Sequence, residues 1–212
     1  MRDSERTSKM YKLFSLDDLG GIMAAKSEYK EIIITGFGGQ GIILSGNILG
    51  KAATLFEKKN ATLIQSYGPE ARGGACAAQV VVSTEAIEYP YIEKPRIIIC
   101  MSQEGFNINV PKLVEGGQLF TDSGLVKIDP DIIPKDVKTC SIPATEFAEE
   151  MGVKMMANII MLSFAIAVTK LVSYDSLKQT IEISVPKGTE KKNLAGMEKG
   201  FQYGLDLKAK GK

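Results

Sequence analysis

Histidine is missing from this chain of 212 residues. Its absence removes the side chain that most often moves protons near neutral pH. A zinc site would have to rest on cysteines and carboxylates alone, an unusual ligand set. Cysteine is scarce as well: Cys76, Cys100 and Cys140 stand far apart, and no C-x-x-C pair occurs. Three thiols fall short of the four that hold an iron–sulfur cluster. Such sparse cysteines fit a reducing, cytoplasmic setting. Neither charge is in excess: a net charge of +1 gives no reason to expect nucleic acid or an anionic membrane as partner. A bilayer-spanning apolar run is also lacking. The most apolar stretch, Met155 to Val168, is too short and is interrupted by Asn158 and Ser163. It reads as a buried helix, inside the domain or partly against a partner. Residues 1–29 mix both charges without a continuous apolar core, so they do not read as a signal peptide.

What is present is a succession of short β-branched runs separated by helical patterns. "EIIITG" at residues 31–36, "ATLIQS" at 61–66, "CAAQVVVS" at 76–83, "RIIIC" at 96–100, "QLFTD" at 118–122 and "TCSIP" at 139–143 read as strands. "RIIIC" is apolar throughout, as in a sheet covered on both faces. Helical patterns cover 42–58, 103 to about 115, 144–152, 155–171, 174–184 and about 189–207. In "ATEFAEEMG" we expect Thr145 and Glu149 to bracket the first helical turn and Gly152 to end the helix. Alternation of strand and helix predicts an α/β fold, a doubly wound and mostly parallel sheet with a Rossmann-like first βαβ unit and a C-terminal helical region. Residues 1–29 form an N-terminal extension ahead of a domain at 30–207.

Two glycine-rich loops carry the candidate site. "GFGGQG" holds G-x-G-x-x-G at Gly36, Gly38 and Gly41, with Gly39 and Gln40 between, after a strand and before a helix. Free N–H groups at such a helix start suit an anion. The acid that a dinucleotide site places at the end of the second strand is missing, since that strand ends "QSYG". The second loop, Ser66, Tyr67, Gly68, Glu70, Arg72, Gly73 and Gly74, leaves the second strand. With the first two strands as neighbours, both loops would share one edge and one surface. Arg72 would reach an anion held by the amides of Gly38 to Gly41, its fork suiting phosphate or carboxylate. Glu70 would orient Arg72 or cap backbone N–H groups. A purely structural tight turn, or a surface ion pair of Glu70 with Arg72, remains open at this point.

Five motifs then occur in a fixed order: "GFGGQG", "QSYGPEARGGA", "SIPATEFAEEMG", "MMANIIML" and "SVPKGTEKKN". In this the chain resembles the gamma subunit of 2-oxoacid:ferredoxin oxidoreductases over residues 30–205, with wording most like the 2-oxoglutarate branch. The pyruvate and indolepyruvate branches share the first two motifs more loosely. The resemblance implies a subunit of a complex that turns a 2-oxoacid and coenzyme A into acyl-CoA and CO2 and passes electrons to ferredoxin. It implies thiamine diphosphate, Mg2+ and iron–sulfur clusters on other subunits: alpha, beta and a ferredoxin-like delta. It implies no catalytic residue and no metal site on this chain, which would be inactive alone. The two glycine loops would face coenzyme A or a sister subunit. Arg96 stands where the family often carries an aspartate, and residues 1–29 extend beyond the family's usual start. Two other classes stay open: a self-sufficient dinucleotide enzyme, and a free-standing coenzyme A or nucleotide binder.

Overall fold

The structure is a computed structural model and describes residues 28–67 and 74–210. Its centre is a six-stranded sheet built from β1 (Tyr29–Phe37), β2 (Asn60–Tyr67), β3 (Ala75–Ser83), β4 (Ile97–Cys100), β5 (Gln118–Asp122) and β6 (Lys138–Ile142). The spatial order is β2-β3-β1-β4-β5-β6. β1, β4, β5 and β6 run parallel, whereas β3 is antiparallel to both β1 and β2. The expected α/β architecture is present, as a mixed sheet with a parallel majority.

One expectation fails: β1 and β2 are not neighbours, because β3 lies between them. The reason is the length of the second loop together with the polarity of the two strands it joins: β3 is buried along most of its length and takes the inner slot, whereas the half-exposed β2 forms the edge. Only residues 68–74 separate β2 from β3, and a parallel crossover needs a dozen residues or more. So short a connection turns the chain back on itself as a hairpin. β3 then fills the slot beside β1, pairing Phe37 with Ala75 and Gly36 with Cys76.

Period-two alternation sorts the strands between two cores. Ile32, Ile34, Val80, Ile97, Ile99 and Phe120 face the larger core, under most of the helices. Ile33, Val81, Ile98 and Leu119 face a smaller one, covered by α2 (Gln103–Asn109) and neighbouring loops through Phe106, Val110 and Leu113. β4 is buried along its whole length, as its unbroken apolar run predicts.

The larger core is organised by α4 (Ala157–Thr169), in which every residue from Ala157 to Ala167 is buried. The most apolar run of the sequence is therefore an internal helix. It lies between the sheet and α6 (Glu190–Ala209), and Phe164 stacks edge-on against Phe120 below and Tyr203 above. α1 (Ile42–Lys51) continues into a π-helical turn at Ala52–Phe56, and α5 (Tyr174–Ser184) is capped by Ser173, whose Oγ accepts from the Ser176 amide. α3 (Ala144–Glu150) differs from expectation at its start: no side chain caps it, and Pro143 holds the N-cap position. Thr145 is turned instead toward Asp122, its amide donating at 2.9 Å and its hydroxyl at 2.6 Å to Asp122 Oδ2. Gly152 does end the helix, with φ +72. The 103–115 pattern also stops early, α2 giving way to a 3-10 turn at Val110–Lys112.

No helix among the described residues is long and apolar enough to cross a membrane. Of the predicted extension at 1–29, residues 1–27 lie outside the described residues, and Tyr29 already belongs to β1.

Candidate functional site

The carboxyl ends of β1 and β4 are the topological switch point of this sheet, where the chain turns outward to opposite sides. The glycine loop leaves β1 there, and Gln40 staples it across the gap. Gln40 Oε1 accepts from the Phe37 amide at 2.7 Å, and Nε2 donates to the carbonyl of Met101, just past β4, at 3.1 Å. Both ends of this side-chain amide are spent on backbone. Gln40 therefore shapes the loop, and the second N–H of its Nε2 has no acceptor among the described residues. Gly36 belongs to the same device, since a Cβ there would meet Gln40 Oε1 at 2.5 Å and Ile42 Cδ1 at 2.6 Å. Gly41 adopts φ +75, and a Cβ there would meet Asn158 Nδ2 at 2.3 Å. A Cβ at either position would force these side chains to shift, and Gly41 is favoured by its conformation too.

Two expected anion donors are turned inward. The Gly38 amide donates to the Gly74 carbonyl at 3.0 Å, and the Gln40 amide donates to the Phe37 carbonyl at 3.1 Å. Gly39 and Gly41 keep amides with no acceptor among the described residues, next to the unsatisfied first turn of α1. The Gly38–Gly74 bond also shows how the two glycine loops meet despite the intervening strand: the second loop returns into β3, beside the end of β1. Ser66 and Tyr67 lie exposed at the end of β2, with the Tyr67 hydroxyl donating to Gln65 Oε1. Gly68, Glu70, Arg72 and Gly73 lie outside the described residues.

A cavity of about 300 Å3 opens beside the loop, lined among others by Gly39, Gln40, Met101, Leu125, Thr145 and Lys154. Its wall comes from segments after β1, β4, β5 and β6, and from the start of α4 through Ala157. Sequence reasoning missed Met101, Leu125 and Lys154 as site residues. The rule that ligands sit beyond the strand ends points to them once the strand order is known. Lys154 brings a cation to the mouth, held loosely by an exposed ion pair with Glu149 at 3.0 Å. Asn158, 2% exposed, donates to the Gly41 carbonyl at 3.0 Å, while its Oδ1 has no donor among the described residues. A buried acceptor in that condition is stabilised by an incoming N–H or O–H.

The floor under this rim is fixed by Asp122. Its carboxylate is fully buried and accepts from Gly124 N, Thr145 N and Thr145 Oγ1. It thereby ties the turn after β5 to the start of α3. We expect Asp122→Ala to lower stability by about 3 kcal/mol, from three charge-assisted bonds and the donors left unpaired. Urea denaturation measures this, and an unchanged midpoint would show that the turn holds without it.

No group of three His, Cys, Asp or Glu side chains that could hold a metal gathers among the described residues. Cys76 and Cys100 point into the core, and burial pushes both thiols up from their ordinary pKa. These residues do not fit an iron–sulfur cluster or a catalytic thiolate on this chain.

Residues 31–203 match the pyruvate ferredoxin/flavodoxin oxidoreductase family. The chain belongs to this family. The 2-oxoglutarate synthase subunit KorC of Methanocaldococcus jannaschii is 46% identical over 84% of this chain and 95% of its own length. The pyruvate synthase subunit PorC of Methanothermobacter thermautotrophicus is 30% identical over 81% of this chain and 94% of its own. Among solved structures, the gamma subunit of a keto/oxoacid ferredoxin oxidoreductase from Geobacter sulfurreducens superposes with a TM-score of 0.73 at 32% identity. That match covers 84% of this chain and 99% of the other. The family relation makes a self-sufficient dinucleotide enzyme the weaker reading, in agreement with the missing ribose-binding acid.

Proposed function

We propose that this chain is the gamma subunit of a 2-oxoglutarate:ferredoxin oxidoreductase, acting in the cytoplasm with alpha, beta and ferredoxin-like delta subunits. The observation that carries this reading is the identity of 46% to KorC across 84% of this chain and 95% of KorC, against 30% to PorC. In such a complex thiamine diphosphate with Mg2+ supplies the carbon chemistry, and iron–sulfur clusters carry the electrons, all on other subunits. This chain contributes a shaped rim. Gly39 and Gly41 offer backbone amides, the start of α1 offers its dipole, and Lys154 and Arg72 add positive charge. The occupant we favour there is a phosphate of coenzyme A. Gln40, Gly36 and Gly38 hold the loop in shape, and Ser66, Tyr67, Gly68, Glu70, Gly73 and Gly74 frame its second side.

The test is reconstitution with the partner subunits and an artificial electron acceptor. The assembled enzyme should prefer 2-oxoglutarate over pyruvate by at least about a hundredfold in kcat/KM, a difference of about 2.7 kcal/mol. The isolated chain should show no turnover with 2-oxoglutarate and coenzyme A. Preference for pyruvate would move the chain to another branch of the family, and turnover by the chain alone would overturn a non-catalytic role.

A further inference from the structure

At the opposite edge of the sheet, away from the glycine loops, two hollows of about 320 and 470 Å3 share Gln118 and Lys138 and form one groove. Its origin is cross-strand register. Ile97, Gln118 and Lys138 are direct neighbours on β4, β5 and β6, on the face that carries Phe120 and Cys140 toward α4. The core ends there, and four cations rim the groove: Lys30, Arg96, Lys138 and Lys208. None of the four forms an ion pair with a described residue. Lys208 Nζ donates to the Val168 carbonyl at 2.9 Å, capping α4, while Arg96 and Lys138 are exposed and Lys30 is half-buried. Phe120, Val168 and Leu171 lie beneath the cations, with Val168 half-buried and Phe120 and Leu171 closed off by their neighbours.

The chain enters this edge at the mouth of the groove. Glu28 Oε2 lies 3.1 Å from Lys59 Nζ, and Lys59 Nζ donates to the carbonyl of Leu171 at 3.3 Å, on the groove wall. Ahead of Glu28 lies "LFSLDDLGGIM", Leu13 to Met23, an acidic pair flanked by apolar residues on both sides. We propose that this segment docks in the groove, with Asp17 and Asp18 at its cationic rim and the flanking leucines on its floor. Charge and polarity match in sequence along the segment. Reach is ample: the span from β1 to β6 is about 14 Å at three strand spacings. The ten residues from Asp18 to Glu28 extend to about 33 Å. An inorganic anion would satisfy the rim alone and leave the half-buried Val168 and Cys140 uncovered. Tethering also gives the segment a high effective concentration at the groove.

Cys140, half-buried in the groove, reports on occupancy, while Cys76 and Cys100 are buried elsewhere in the cores. The experiment compares the rate of Cys140 modification by a thiol reagent, assigned by mass spectrometry, in the full wild-type chain and in Asp17→Lys/Asp18→Lys. Loss of two rim ion pairs should raise the rate about fivefold. Hydrogen exchange over Lys138–Ile142 should rise with it. The control Asp3→Lys/Glu5→Lys, with the same change of charge, should match wild type. Equal rates and equal exchange in wild type and the Asp17/Asp18 variant would overturn the proposal. So would protection by added pyrophosphate that is identical in both, which would mark a site for a diffusible anion. Protection that grows with protein concentration in both would assign the groove to a second copy, and would overturn it too.

Discussion

Gly200→Ala is expected to destabilise the chain by about 3 kcal/mol, and Gly50→Ala to stabilise it by up to about 1 kcal/mol. Both glycines sit in helices, and propensity alone predicts a gain at each. Around Gly50 in α1 an added Cβ meets only Ala61 Cβ at 3.9 Å, an ordinary contact. At Gly200 in α6 the same atom would lie 2.1 Å from the carbonyl oxygen of Ile160, in the backbone of α4. Backbone cannot swing aside as a flexible side chain can, so α6 must lift off. Lifting it loosens Phe164 against Tyr203 and the cover of the internal helix. Gly196 and Gly204 lie one turn to either side and press on Met156 and on Ala167 and Phe164. Urea denaturation of the two variants reads the opposite signs directly. A Gly200→Ala protein as stable as wild type would mean that α4 and α6 are spaced more widely than this packing requires.

The second large effect is expected at Gln40. Removing its amide in Gln40→Ala leaves the Phe37 N–H and the Met101 carbonyl without partners, beside a cavity wall. The Phe37 end is exposed and can turn to water, so the cost in stability should be about 1–3 kcal/mol, most of it at Met101. In the assembled enzyme the loosened glycine loop should raise the KM for coenzyme A about tenfold or more, with kcat less affected. Gln40→Glu is the informative companion. A carboxylate can still accept from Phe37 N–H, but it sets a negative oxygen against the Met101 carbonyl, so it should be no better than alanine. If both variants keep wild-type stability and coenzyme A dependence, the staple is dispensable. If stability falls and the KM does not move, the loop serves a subunit contact.

Local pattern was a good guide wherever a segment's neighbours did not alter its meaning. α5 spans the predicted residues 174–184, and the run of isoleucines in β4 is a strand buried on both faces. Thr145 shows where local pattern misleads. Its spacing to Glu149 resembles a cap, but the buried carboxylate of Asp122, 23 residues away, competes for both its donors and wins. A charged acceptor in the core outbids a neutral cap at the surface. At the candidate site the glycine positions were legible, because a tight turn at a helix start leaves a compositional trace. The role of Gln40 was not, since its second partner, Met101, is 61 residues away.

The sequence by itself determined the class of fold, the burial of a helix in the apolar run 155–168, the glycine loops and, through five ordered motifs, the family. Those are properties of periodicity, composition and short spacing, which act within a few residues. Only the tertiary structure decided the strand order, with β3 set between β1 and β2, and so which loop ends meet. It also decided that the Gly38 amide is spent on Gly74, that α6 is seated backbone to backbone on α4, and that cations from four distant segments rim one groove. Each of these depends on which residues far apart in the chain become neighbours. That is set by minimising exposed apolar surface over the whole chain at once, and no window of the sequence contains it.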